Sequence, residues 1–114
     1  MTRFVNLTPH VITIVNDNGE KIIEIPPSGE VVRVNISQEI VRYVDGIPVK
    51  KTVFNDIQNL PEPQNDTIFI VSTIVLQALK DKGINRDDVV APDTNSAVRD
   101  ENGRIIGVKG FQVL

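Results

Sequence analysis

His10 is the only histidine in the chain, so any acid–base triad or imidazole metal site has to use it. It closes the turn-like tripeptide Thr8-Pro9-His10. A triad needs a base held by an orienting group and facing a nucleophile. Thr8 and Ser72 are the hydroxyls that would complete a small hydrolase with His10. The commoner outcome for such a residue is a ring nitrogen bonded to nearby backbone. No Gly-x-Ser-x-Gly elbow occurs. With one histidine, a two-histidine metal site cannot form within one chain. Cysteine is absent, which removes disulfides, thiolate zinc sites, iron–sulfur ligation and cysteine nucleophiles together. The carboxylates at Asp87-Asp88, Glu20, Glu24, Asp93 and Asp100-Glu101 show no EF-hand spacing. Neither a metal hydrolase nor a glycosidase pair is expected from them, and no cofactor or metal is expected.

Anion binding has more support. Ser72 and Thr73 open a helical pattern directly after an apolar run. A helix start offers free N–H groups and the positive end of the dipole. No glycine-rich loop precedes it, so neither the P-loop nor the dinucleotide fingerprint is matched, and an ordinary N-cap at Ser72 is the competing reading. Arg99 and Arg104 flank the turn Asp100-Glu101-Asn102-Gly103. A tight hairpin there would hold the two cations close, and such a pair favours an anion. Arg86 precedes Asp87 and could pair with it. Surface ion pairs are the commoner role for all three arginines. The candidate ligand-binding residues are therefore Thr8, His10, Ser72, Thr73, Arg86, Arg99 and Arg104. The four phenylalanines and Tyr43 could stack on a base, but so few aromatics are needed mostly for the core.

The elements that must position these residues are mostly strands. Phe4 to Leu7 is a short apolar stretch. Val11 to Val15 is β-branched at every position, which favours a pleated strand. Asn16-Asp17-Asn18-Gly19 supplies the positive φ of a hairpin turn, and Lys21 to Ile25 returns as the partner. Glu30 to Asn35 alternates like a half-buried strand. Gln38 to Val44 has helical spacing but β-branched content, so it is ambiguous between helix and strand. Asp45-Gly46 is a turn signal with Ile47 to Phe54 as the partner strand. Asn55 to Asp66, with Pro61-Glu62-Pro63-Gln64, is expected to be a stiff ordered loop. Thr67 to Val71 reads as a strand covered on both faces. A helix is expected over about 72–82, with Ile74, Val75, Ala78 and Leu79 on its apolar face and Gly83 as its stop. Val89 and Val90 begin another strand, Pro92 to Ser96 is a polar loop, and a second Asn-Gly hairpin follows.

A chain of 114 residues with 40% hydrophobic and 24% charged residues fits a single domain over 1–114 with one core. The expected class is α+β, mainly β: an antiparallel sheet or a partly open barrel of hairpins with one principal helix. A net charge of −3 without a dense basic run makes nucleic acid an unfavoured partner. No segment approaches the ~20 apolar residues of a membrane span, and no secretory leader pattern is visible. A cytoplasmic protein without a membrane partner is expected.

Several short stretches also carry a resemblance. Asn6-Leu7-Thr8-Pro9-His10, Gly46-Ile47-Pro48-Val49, Leu60-Pro61-Glu62-Pro63-Gln64 and Ile70-Val71-Ser72 come first. Arg86-Asp87 and Val98-Arg99-Asp100-Glu101-Asn102-Gly103-Arg104-Ile105-Ile106-Gly107 follow. In that order they resemble a family of small proteins met in phage and prophage genomes and in some bacterial chromosomes, over nearly the whole chain. The resemblance implies a phage setting, and hence the cytoplasm of a host cell. Among small phage proteins, one class sequesters cyclic-nucleotide or ADP-ribose-derived immune signals as oligomers without catalytic residues. The leading expectation is such a homo-oligomeric binder of a phosphate-bearing small molecule. The alternatives are a structural or protein-interaction module of phage assembly, and the small hydrolase using His10.

Overall fold

The computed structural model describes all residues, 1–114. Strands β1 (Arg3–Asn6), β2 (Ile12–Val15), β3 (Lys21–Ile25), β4 (Arg33–Val44) and β5 (Ile47–Gln58) come first. Then follow β6 (Thr67–Ile70), helix α1 (Thr73–Asp81), β7 (Val89–Pro92) and a 3-10 turn (Thr94–Ser96). Strands β8 (Val98–Arg99), β9 (Ile105–Gly107) and β10 (Phe111–Gln112) complete the chain. The fold is α+β and mainly β, with one α-helix, and no sheet closes into a barrel.

The central sheet has the order β1-β6-β7-β10. It is mixed. Strands β1, β6 and β7 run parallel, and β10 joins β7 antiparallel. β6-α1-β7 is a βαβ unit, the connection that parallel neighbours require. β6 is central because Thr67-Ile68-Phe69-Ile70 lets it bury both faces. Phe69, at 1% exposure, joins Val75, Leu76 and Leu79 of the helix, with Leu7, Val32, Val71, Val89 and Ala91. Ile70 points the other way, to Ile12, Ile14, Ile25 and Val108. The β2–β3 hairpin and the segment after β9 thus cover the face opposite the helix, giving three layers.

Local turn chemistry accounts for the hairpins. Gly19 and Gly103 take φ +79° and +80° in the two Asn-Gly turns. Asp45 and Gly46 both take positive φ, 50° and 81°, which joins β4 to β5 by a two-residue turn. The stretch from Gln38 to Val44 is therefore strand, part of a 12-residue β4, and β5 continues past Phe54 to Gln58. Helix α1 ends as expected at Gly83 (φ 70°), with Gly83 N–H bonded to the Lys80 carbonyl and Ile84 N–H to the Leu79 carbonyl. Its start differs from expectation. Ser72 occupies the N-cap position with extended backbone, but its side chain makes no capping hydrogen bond.

Candidate functional site

Because β1, β6 and β7 are parallel, their carboxyl ends lie at one edge of the sheet. The chain leaves that edge as Leu7-Thr8-Pro9-His10, as Val71-Ser72-Thr73 and as Asp93-Thr94. The crevice outside the carboxyl ends of parallel strands is the usual ligand position in open α/β sheets. Here it holds a cavity of about 780 Å³. Thr8, Pro9 and His10 line it together with Ser72, Thr73, Pro92 and Thr94 and with Ile105, Ile106, Gly107 and Val108. Val11, Ile12 and Thr13 complete it.

Asn6 holds the first loop. It is 1% exposed at the end of β1. Its Nδ2 donates to the carbonyls of His10 (2.7 Å) and Ile25 (3.0 Å). Its Oδ1 accepts from the Thr8 N–H (2.9 Å) and the Thr8 hydroxyl (2.7 Å). One amide thus ties the turn to β3 and satisfies buried backbone that the sheet cannot reach. Sequence reasoning passed over Asn6 as a site residue. The available signal was a polar residue closing an apolar run just before Thr-Pro.

His10 makes its hydrogen bonds through its backbone, and no hydrogen bond reaches its ring. The expected bond from a ring nitrogen to nearby backbone is not made. The Thr8 hydroxyl is committed to Asn6 and buried. No carboxylate lines the cavity, so no acid there orients the imidazole. At the helix start, Thr73 Oγ1 lies 3.5 Å from Gln112 Nε2, which also donates to the Pro92 carbonyl at 3.0 Å. β10 thereby ties the helix start to the end of β7.

Four of the seven expected site residues, Thr8, His10, Ser72 and Thr73, meet in this cavity. The three arginines do not line it. Arg99 is registered against Ile105, not Arg104, and its guanidinium donates to the Gly103 carbonyl at 2.8 Å. Arg104 is exposed beside it, its N–H bonded to Asp100 Oδ1. The hairpin contributes its apolar return strand to the cavity instead of its cations. That wall escaped sequence reasoning because Ile105-Ile106-Gly107 looked like any returning strand.

Arg86 pairs with Asp88, not with Asp87. Its Nε and one terminal nitrogen donate to the two Asp88 oxygens at 2.7 and 2.9 Å. The same terminal nitrogen reaches the Pro61 carbonyl at 2.9 Å. Both side chains are less than a fifth exposed. The bidentate geometry explains the partner, since the fork fits a carboxylate two residues on. The loop Pro61-Glu62-Pro63-Gln64 is thus clamped away from the cavity rim. The hydrogen bond from Arg86 holds the Asp88 carboxyl below the usual carboxylate range. A depressed folded pKa means this stability is fully present above the unfolded value of ~3.9 and fades as pH falls through the folded value. At neutral pH, Asp88→Asn is expected to cost about 1–2 kcal/mol. Denaturant melts across pH should show the gap between wild type and variant closing below ~4. A gap unchanged in acid would refute the pairing.

Elsewhere no group of three or more His, Cys, Asp or Glu side chains is arranged to hold a metal ion. Phe4 and Phe111 pack on each other with ring centroids 5.6 Å apart, which commits two of the four phenylalanines. No helix is long and apolar enough to cross a membrane. The site and fold define an α+β chain with a strand-end cavity. Comparison with protein-family models, with curated proteins and with solved structures finds no match in any of the three.

Proposed function

We propose that the chain is a small, phage-type, non-catalytic binder that sequesters a nucleotide-derived host immune signal in the host cytoplasm. The observation that supports this is the meeting of three strand-end loops around one open cavity, lined by hydroxyls and a helix start and by the apolar Ile105 and Ile106. A phosphate group would lie at the start of α1, near Thr73 and His10, where peptide N–H groups and the dipole favour negative charge. A base or ribose would cover Ile105 and Ile106. Sequestration needs tight binding and no bond breaking, which suits a cavity without an orienting acid for His10.

The test is incubation of the purified chain with cyclic dinucleotides and with ADP-ribose-derived signals. A ligand at a hundred times its Kd adds about 2.7 kcal/mol. For a domain of this size that corresponds to a Tm rise of about 10 °C. Heat denaturation should then release the ligand chemically intact. Thr73→Glu, which places a carboxylate at the helix start, is expected to weaken binding about 100-fold by like-charge repulsion. Absence of a thermal shift with every signal, or release of a cleaved product, would sink the reading.

A further inference from the structure

The chain carries the dipeptide Asn-Gly twice, at Asn18-Gly19 and Asn102-Gly103. The two turns are built alike. Asn16 N–H donates to the Glu20 carbonyl and Asp100 N–H to the Arg104 carbonyl, each at 2.9 Å, which closes a loop of three residues in both. The residue before each loop also caps it. Asn16 Oδ1 accepts from the N–H groups of Asn18 (2.9 Å) and Glu20 (3.0 Å), and Asp100 Oδ1 from those of Asn102 (2.9 Å) and Arg104 (3.0 Å). In both, the glycine N–H bonds to the carbonyl three residues back at 3.0 Å. Such a loop ends on a left-handed glycine. Asn18 and Asn102 are exposed and join the net only through their backbone N–H.

An exposed asparagine before glycine has a reaction open to it. The glycine nitrogen attacks the asparagine Cγ and gives up its proton to water. A new C–N bond forms, the side-chain amide bond breaks, and its nitrogen leaves as ammonia. The product is a five-membered succinimide. Water then opens that ring at either carbonyl. One opening leaves aspartate, and the other leaves isoaspartate, with the main chain rerouted through the side chain. Overall, asparagine and one water become a carboxylic acid and ammonia, and no other reactant is needed. Glycine favours the attack because it has no Cβ to hinder the approach of its own nitrogen. The turn opposes it, since the glycine N–H must first leave the carbonyl that holds it. The rate therefore follows how readily the turn opens.

We propose that Asn102-Gly103 is a site of spontaneous deamidation and isoaspartate formation, and that its twin at Asn18-Gly19 is protected by tertiary contacts. Charge does not separate the twins. Asp17 and Glu20 are accompanied by Lys21 and Lys109, and Asp100 and Glu101 by Arg99 and Arg104. Anchoring does. Asp17 Oδ1 lies 3.3 Å from Lys109 Nζ. Gly19 is half-buried against β8, where a Cβ would lie 3.8 Å from Val98 Cγ1. Its hairpin joins strands of four and five residues that bring Ile12, Ile14 and Ile25 to the core. A Cβ on Gly103 would meet nothing within 4 Å. Its hairpin joins strands of two and three residues with a shifted register. Beyond the shared net, that turn is tied only by the Arg99 guanidinium donating to the Gly103 carbonyl at 2.8 Å, a bond at the surface and within the same hairpin. The second turn can open alone, whereas the first must break contacts with β8 and Lys109. The product would alter the cavity, because the isoaspartyl linkage adds a methylene to the main chain just before the strand that carries Ile105 and Ile106. Either product adds one negative charge to the chain's −3.

The test is incubation of the full chain at mildly alkaline pH in heavy-oxygen water, followed by digestion and peptide mapping by mass spectrometry. The Asn102 peptide should exchange its amide nitrogen for solvent oxygen and split into aspartyl and isoaspartyl forms. Its rate should exceed that of the Asn18 peptide by about threefold or more, the scale of one exposed ion pair plus local packing. In denaturant, where neither turn is held, the two rates should converge. Asn102→Gln should abolish labelling at that position and leave the circular dichroism of the folded chain unchanged. Equal rates in the folded chain, or a faster Asn18, would overturn the proposal. So would an Asn102 peptide that stays unlabelled when folded but reacts when denatured. A gap of the same size in denaturant would assign the difference to neighbouring sequence and also overturn it. None of these outcomes depends on whether the cavity binds a ligand.

Discussion

Asn6→Leu is expected to destabilise the chain by about 3–5 kcal/mol, the largest effect of any single polar substitution in the molecule. The side chain makes four hydrogen bonds and is almost fully enclosed. Leucine has the same branching but puts bulkier methyls where the amide oxygen and nitrogen stood, so some crowding is added. The larger cost comes from the groups left behind. The Ile25 carbonyl and the Thr8 N–H lose this partner, and the His10 carbonyl keeps only the Thr8 hydroxyl at 3.2 Å, at about 1–3 kcal/mol for each one left unpaired and buried. Water reaching the rim of the turn limits the total. Against a stability of about 5–15 kcal/mol, this loss lowers Tm by on the order of 15 °C. Asn6→Asp should be no better at neutral pH, because an oxygen would replace the Nδ2 donor against two carbonyl oxygens. Thermal melts of both variants decide the matter. A drop of only a degree or two for Asn6→Leu would show that the turn is held by other contacts. The same variant should loosen the Thr8-Pro9-His10 side of the cavity, so any ligand-induced Tm rise should shrink with it.

Gly107→Ala is the second large effect, and it acts through volume. A Cβ on Gly107 would lie 2.8 Å from Val15 Cγ1 and 2.9 Å from the Thr13 carbonyl oxygen. A side-chain methyl can rotate away. The carbonyl cannot, because it accepts the Val108 N–H at 3.0 Å and belongs to β2. Relief requires β9 to lift from β2. That strains the Val108–Thr13 bond and its companion, Val15 N–H to the Val108 carbonyl at 2.9 Å. The expected cost is about 3 kcal/mol, the upper end for overpacking by one methyl. Gly110 supplies the control. Nothing lies within 4 Å of a Cβ there, and its φ is not in the left-handed region. Gly110→Ala should be neutral or stabilise by up to about 1 kcal/mol through the unfolded chain. Equal melting of the two alanine variants would mean that β9 is free to move, and the apolar wall of the cavity with it.

Both substitutions act on parts of the site that sequence reading did not select, and the reason is the same. Asn6 and Gly107 matter for what lies beside them in space. Asn6 reaches Ile25 across the β1–β3 contact, and Gly107 meets Val15 across β2. Neither neighbour is implied by local composition. Arg86 is the complementary case. A cation beside two aspartates announces an ion pair, but the choice of Asp88 over Asp87 depends on where the backbone turns. Arg99 and Arg104 flank a tight turn as expected, yet the irregular register of the β8–β9 hairpin sets Arg99 against Ile105.

What the amino-acid sequence determined by itself was short-range. Asn-Gly and Asp-Gly pairs supply positive φ wherever they fall, so three hairpin turns were legible. The helix over Thr73–Asp81 and its stop at Gly83 follow from an apolar face and a glycine, and the all-apolar run after Thr67 identified the strand buried on both faces. The inventory of reactive groups, one histidine and no cysteine, is also independent of folding. The tertiary structure alone decided the direction and order of pairing. β1 lies parallel to β6 with Arg3 beside Thr67, although most of the first half of the chain separates them. That choice is made by the summed burial of distant strands, to which no local signal corresponds. It is also what carries the loops after β1, β6 and β7 to one edge and the arginines away from it. The residues that could do chemistry were therefore visible in the chain, but which of them share a cavity was set by strand direction.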